Sequence, residues 1–175
     1  MANYRRARTP GGTFFFTVVT YRRRRLFHKP ESRDILREVI QDVRQRHPFT
    51  IDSWVLLPEH MHCIWTLPEE NFDFSMRWSL IKSGFSKRAK TLYHVDERMN
   101  DSKKKHRETT IWQRRFWEHQ IRDEDEYQVY MDYSFQSGKT RAGRKGRRLA
   151  LFDVSSICQI GYLSRELGLW NAGNA

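Results

Sequence analysis

Cysteine is scarce in this chain, and its two copies, Cys63 and Cys158, stand 95 positions apart. Such a pair offers neither a Cys-x-x-Cys metal motif nor a disulfide framework, so a reducing compartment, the cytosol, is expected. Long hydrophobic runs are missing too. Nothing approaches the ~18 consecutive apolar residues that a membrane-spanning helix requires. The longest early run, Phe14 to Val19, is too short for a secretory leader and lies among arginines with no cleavage-like site. Acidic side chains are absent from residues 1–29, which carry eight basic ones. Over the whole chain acids are outnumbered 21 to 32, giving a formal charge of +11 and a pI of 10.0. That balance points to a polyanionic partner.

What is present argues for a folded domain. The 175 residues suit one domain and leave no room for a second of full size. Aromatics make up 14%, with 6 Trp and 11 Phe, whereas disordered chains of high net charge lack them. A 38% hydrophobic share supplies a core, and a mean hydropathy of −0.81 leaves the surface heavily charged. The positive charge is clustered at Arg5, Arg6 and Arg8, at Arg22 through Arg25, at Lys82, Lys87, Arg88 and Lys90, at Lys103 through Lys105, and from Lys139 to Arg148. Any one cluster suits a solvated face equally well. The acid-free N-terminal stretch tilts the reading to nucleic acid, with phosphates on the bases and nucleobases on the interleaved aromatics, and away from a membrane.

Thr13 to Tyr21 is β-branched and aromatic after the Pro10-Gly11-Gly12 turn, so a buried strand is expected. Glu31 to Arg46 sets Ile35, Leu36, Val39, Ile40 and Val43 on one helical stripe. Phe49 to Leu57 and Met61 to Leu67 read as a hairpin about Pro58-Glu59. A second amphipathic helix follows from Phe74 towards Tyr93, then a polar, exposed basic insert at 96–110. Ile111 to Phe116 is expected to be a short fourth strand, and Arg122 to Phe135 a helix. The order β-α-β-β-α-β-α gives an α+β, ferredoxin-like (split βαβ) fold. Its antiparallel sheet has helices on one face and the other face open, and a C-terminal helix carries three tyrosines.

His60 and His62 lie one residue apart on a strand, so period two puts both imidazoles on one face, able to grip one divalent ion. Met61 and Cys63 then point into the core. Glu59 reads as a hairpin residue aimed to the opposite side, not a ligand. A bare His-x-His is more often a packing pair, and it lacks the helical His-Glu-x-x-His spacing of zinc proteases. Tyr127, Tyr130 and Tyr133 recur every three residues, which more often marks a packing stripe. A metal site facing a helical tyrosine on a basic protein nevertheless suits phosphoryl transfer, with the phenol as nucleophile.

Three segments, YRRARTPGGTFFFTV, PFTIDSWVLLPEHMHCIWTLPEENFDFSMRWSLIK and IWQRRFWEHQIRDEDEYQVYMDY, resemble the REP-associated tyrosine transposases. These are bacterial single-tyrosine HUH nucleases related to the IS200/IS605 transposases. The resemblance runs over residues 4–133 apart from the lysine-rich insert. It implies that His60 and His62 hold Mg²⁺ or Mn²⁺ and that Tyr133, in the Asp-Tyr pair, is the nucleophile. It further implies attack on single-stranded DNA to leave a 5′-phosphotyrosine and a free 3′-hydroxyl, which can reverse the step and join strands. The N-terminal arginines, Arg5, Arg6 and Arg8, would help read a tetranucleotide beside a DNA hairpin. Arg22, Arg23, Arg24, Lys82, Arg114 and Arg115 are further candidate DNA contacts. The expected setting is the bacterial cytoplasm at the nucleoid, and the expected partner is single-stranded or hairpin DNA, bound as monomer or dimer.

The resemblance stops abruptly after Tyr133. Where the family continues Asn-Pro-Val-Lys-His-Gly-Leu-Val and later Asp-Trp-Pro-Tyr-Ser, this chain has SFQSGKTRAGRKGRRLALFDVSS. Back-translated and shifted by one base, Phe135 to Gly143 yields the first motif and Arg148 to Ser156 the second. A frameshift just after the nucleophile codon is therefore expected, dividing the chain into an HUH domain at 1–137 and an atypical basic tail at 138–175. In the family the third metal ligand is an Asn or Gln four residues beyond the tyrosine. Ser137 stands there, with Gln136 beside it. The competing expectation is a hairpin-binding module that no longer cuts. An RNA-binding ferredoxin-like domain is a weaker third, since exposed sheet aromatics are not evident in the strand patterns.

Overall fold

β-branched and aromatic residues build a strand at Thr13–Val19 (β1), entered through Gly11, whose positive φ of 68° a side chain would resist. In this computed structural model residues 8–95, 101 and 109–143 are described, without side chains at 135 and 137–143. Arg5, Arg6, most of the expected insert, the Ser137 side chain and residues 144–175 lie outside the described set. Helix α1 (Pro30–Arg46) starts with proline in its first turn, where the missing N–H costs nothing. The hairpin follows as β2 (Thr50–Leu56) and β3 (His60–Thr66), and α2 (Phe74–Arg88) opens where Asp73 accepts the Met76 N–H at 2.8 Å. A single turn, α3 (Lys90–Tyr93), then leads towards β4 (Trp117–Ile121) and α4 (Glu124–Gly143).

The sheet is antiparallel in the order β2-β3-β1-β4, the split βαβ topology expected. One expectation fails. Ile111 to Phe116 is not the fourth strand, for only Trp112 bridges to Thr20, and the edge strand is Trp117–Ile121. The apolar residues of Ile111–Phe116 serve the core from a loop: Ile111 and Trp112 are buried, and Phe116 packs on Phe74 and Trp78.

Phe14, Phe16 and Val18 of β1 and Met61, Cys63 and Trp65 of β3 meet the α1 stripe of Leu36, Val39, Ile40 and Val43 and the Trp78, Ile81 and Phe85 of α2. Each such burial contributes roughly 1.5–3 kcal/mol. Trp65 and Trp78 stack with centroids 4.2 Å apart. Arg77 is buried as well. Its guanidinium donates to the Pro48 and Asp73 carbonyls at 2.9 Å and to Asn71 Oδ1 at 2.9 Å, tying the start of α2 to the α1–β2 connection. Burial lowers its pKa, and the Asp73 charge partly offsets this.

The second face of the sheet was expected to be open, yet α4 crosses it. Met131, Tyr127 and Tyr130 pack on Phe15, Ile64 and Ile121. Asp123 starts the helix by accepting the Glu126 N–H at 2.8 Å, and Glu124, Asp125 and Glu126 sit in the first turn, where the helix dipole favours them. The helix also outruns its expected end at Phe135, continuing through Gly138 to Gly143. One interior glycine costs only about 1 kcal/mol against alanine, too little to end a helix by itself. No helix among the described residues is long and apolar enough to cross a membrane.

Candidate active site

Strict alternation along β3 sends Met61 and Cys63 into the core and His60 and His62 to the face under α4. Burial pushes the Cys63 thiol well above its ordinary pKa, which keeps it protonated and inert. The two imidazoles lie with centroids 4.9 Å apart and are 7% and 4% exposed. The β1–β3 register sets Thr17 opposite His62, and Thr17 Oγ1 lies 2.9 Å from His62 Nδ1. Glu59 Oε1 lies 3.3 Å from His60 Nδ1, and Arg23 Nη2 is 3.6 Å from the same oxygen.

Glu59 therefore does not point away from the histidines as expected. It precedes β3, in the turn that the Leu57 N–H to His60 carbonyl bond (2.8 Å) closes, where strand alternation does not apply. His62 thus has on its Nδ1 side the oxygen partner that metal-binding histidines usually have, fixing the ring so that Nε2 can take the ion, whereas Glu59 flanks His60 at ion-pair distance without hydrogen-bond geometry. Two imidazoles so supported fit a divalent cation, although no cluster of three His, Cys, Asp or Glu of metal-binding geometry occurs among the described residues. An amide, a hydroxyl or water would complete the coordination of such an ion. Gln136 is exposed on α4, nearly one turn beyond Tyr133.

The three tyrosines part company. Tyr127 and Tyr130 pack into the Phe15 cluster, with Tyr130 stacked on Phe15 at 4.7 Å. Burial first, then the Glu126 carboxylate, pushes the Tyr130 phenol above its ordinary pKa. Tyr133 is 52% exposed, and its ring stands 5.3 Å from that of His62 and 5.9 Å from that of Phe15. Of the three, Tyr133 is the one with a ring contact to a histidine of the pair.

The candidate DNA contacts divide as well. Arg8, Arg22, Arg23, Arg114 and Arg115 are exposed. Arg22 and Arg23 follow β1 with φ of 54° and 51°, the left-handed region that costs roughly 1–2 kcal/mol per non-glycine residue. Arg24 turns back to the chain, donating to the Tyr93 carbonyl at 2.7 Å and that of Thr110 at 3.2 Å. Lys82 holds the loop before β4 by donating to the Gln113 and Arg114 carbonyls, the latter at 3.0 Å. Sequence reading missed Thr17, Glu59 and Phe15. Period two along β1 does put Phe15, Thr17 and Val19 on one face, but pairing that face with the histidines needs the register.

A paired-histidine motif under a helical tyrosine on this sheet order is a specific combination, and residues 13–133 match the family described as transposase IS200 like. The chain belongs to that family. It is 44% identical over 135 residues to the REP-associated tyrosine transposase of Escherichia coli, spanning 77% of this chain and 71% of that one. A solved structure of a REP-associated tyrosine transposase bound to a REP hairpin superposes with a TM-score of 0.66 at 40% identity, covering 81% of this chain and 74% of the other. In this IS200-like transposase the family match thus runs from the first residue of β1 to Tyr133 within α4.

Proposed function

We propose that this IS200-like transposase cuts and rejoins single-stranded DNA beside a hairpin, with Tyr133 as nucleophile and His60 and His62 as ligands of a divalent metal, Mg²⁺ or Mn²⁺. The observation that carries the reading is the 5.3 Å approach of the half-exposed Tyr133 ring to buried His62. The hairpin-bound relative supports the substrate class. A bound divalent ion would supply charge neutralisation at the scissile phosphodiester. The chain does the rest. Thr17 anchors His62, Glu59 flanks His60, Phe15 supports the Tyr133 ring, and Arg23 brings positive charge to Glu59, with exposed Arg22 next to it in the chain. The Tyr133 Oη–phosphorus bond forms as the phosphorus–O3′ bond breaks; the phenol gives up its proton and the departing 3′ oxygen gains one. The 5′-phosphotyrosine conserves the bond energy, so the 3′-hydroxyl can attack it in reverse and join strands. Arg5, Arg6, Arg8, Arg114 and Arg115 serve as DNA contacts, while Lys82 holds the loop that carries Arg114 and Arg115 and Arg24 ties Tyr93 to Thr110. The working domain is 1–137, the tail 138–175 is a shifted-frame replacement, and the setting is the bacterial nucleoid.

A second reading, a hairpin-binding module that no longer cuts, is favoured by one specific feature. Where the family carries a metal-binding amide four residues beyond the tyrosine, this chain has Ser137. One experiment separates the two. A hairpin oligonucleotide with a single-stranded flank is incubated with Mn²⁺, and covalent adduct is read on a denaturing gel. Tyr133→Phe keeps the ring and removes the nucleophile, so no adduct is expected from it. The natural chain should give a small yield. Replacing the residues after Tyr133 by the shifted-frame sequence should raise it about 10-fold or more, the lower end of what a lost metal-supporting interaction costs. Equal yields would mean that Gln136, Ser137 or water suffices. Binding without adduct from either version would establish the module reading.

A further inference from the structure

The sheet face that carries His62 also carries an aromatic side chain that this chemistry leaves unused. Trp117 opens β4 and is 51% exposed, whereas Trp54, Trp65, Trp78 and Trp112 are buried. It pairs with Thr17 across β1 and β4, and Thr17 pairs with His62 across β1 and β3. Trp117, Thr17 and His62 thus form one row across three strands, with Trp117 two strand spacings, about 10 Å, from His62. Its ring is braced from within the sheet. His119 lies parallel to it at 5.9 Å and 8°, and Phe15, the residue that also touches His62 and Tyr133, meets it edge-on at 5.8 Å. Arg114 and Arg115, both exposed, stand three and two residues before it, with Phe116 between, on the loop that Lys82 pins.

We propose that Trp117 is a stacking platform for one unpaired base of the single-stranded flank, with Arg114 and Arg115 taking the adjoining phosphate. An indole held rigidly at half exposure keeps an apolar ring in water that a nucleobase would cover, and every base has a face to offer it. Exposed cations on the loop that leads into this strand suit a polyanion rather than an apolar protein partner. The platform and the histidines share one sheet face, so a single strand crossing the row is gripped at a base while its backbone passes His62 and Tyr133. This inference rests on the reading of the site as a centre for single-stranded DNA and adds a base-binding position to it.

The test uses the full chain and two probes, a hairpin with a single-stranded flank and the same hairpin without one, with affinities from fluorescence anisotropy. Trp117→Ala should weaken binding of the flanked probe about 5-fold or more, the lower range for one lost base–aromatic stack, and leave the unflanked probe unchanged. Trp117→Phe, which keeps a stacking ring, should retain most of the affinity. A flank containing 2-aminopurine should be quenched on binding the natural chain and stay bright with Trp117→Ala. Equal losses on both probes, or parent affinity for the flanked probe in the alanine variant, would overturn the platform. A drop in oligomer mass without a change in DNA affinity would do the same and make Trp117 a self-association contact. If the natural chain binds the flanked hairpin no better than random duplex, the hairpin reading itself falls.

Discussion

At the scale of single residues, the site is two histidines whose neighbours come from elsewhere in the chain. The facing of His60 and His62 was legible because it needs only the period of a strand. Their partners were not: Thr17 arrives through the β1–β3 register and Glu59 through a turn where alternation lapses. Thr17 makes a clean test of whether such a partner matters. Thr17→Val keeps the branched shape and removes the hydroxyl, so the fold should survive while the His62 ring loses its 2.9 Å anchor. Outer partners of metal-binding histidines are typically worth 10–100-fold in affinity. Calorimetry should therefore find Mn²⁺ binding weakened about 10-fold in Thr17→Val. An affinity equal to that of the natural chain would show that His62 needs no such anchor.

At the scale of elements, α1, the hairpin and the start of α2 were legible because apolar spacing and the Pro58-Glu59 turn are local signals. The edge strand was not. Trp117–Ile121 reads as a mixed, half-polar run, and the more hydrophobic Ile111–Phe116 before it drew the assignment; only the tertiary fold sends those side chains into the core. The open second face failed for a related reason, since its cover is a helix whose packing residues are tyrosines and a methionine. Helix–helix contact was equally hidden. α1 packs tightly on α2 at Gly84, where an added Cβ would stand 2.9 Å from Val39 Cγ1. Val39 is buried and, being β-branched in a helix, has essentially one rotamer. Gly84→Ala gains about 1 kcal/mol of helix propensity but meets an overpacking cost of about 1–3 kcal/mol. Urea denaturation should show a net loss of about 1 kcal/mol, recovered in part by adding Val39→Ala. A stabilised Gly84→Ala would mean that the helices separate freely at this crossing.

At the scale of the whole molecule, charge is arranged around the sheet. Arg8 precedes β1 and Arg22 and Arg23 follow it, so exposed cations flank a strand about 20 Å long, with Arg114 and Arg115 ahead of the neighbouring edge strand. The excess of base over acid was plain in the sequence, but its division between surface cations and the inward-turned Arg24 and Lys82 was not. Each side chain that neutralises a phosphate releases counterions, so affinity should fall linearly with salt on logarithmic axes, by about 0.7 per contact for single strands and 0.9 for duplex. Replacing Arg5, Arg6 and Arg8 with alanine should weaken hairpin binding and reduce the steepness of that line by about 2–3, if all three meet phosphates. Loss of affinity with an unchanged slope would assign the three to base edges instead, where contacts specify sequence and release few ions. Parent affinity and parent slope together would take the N-terminal arginines out of the interface and leave Arg22, Arg23, Arg114 and Arg115 to hold the DNA.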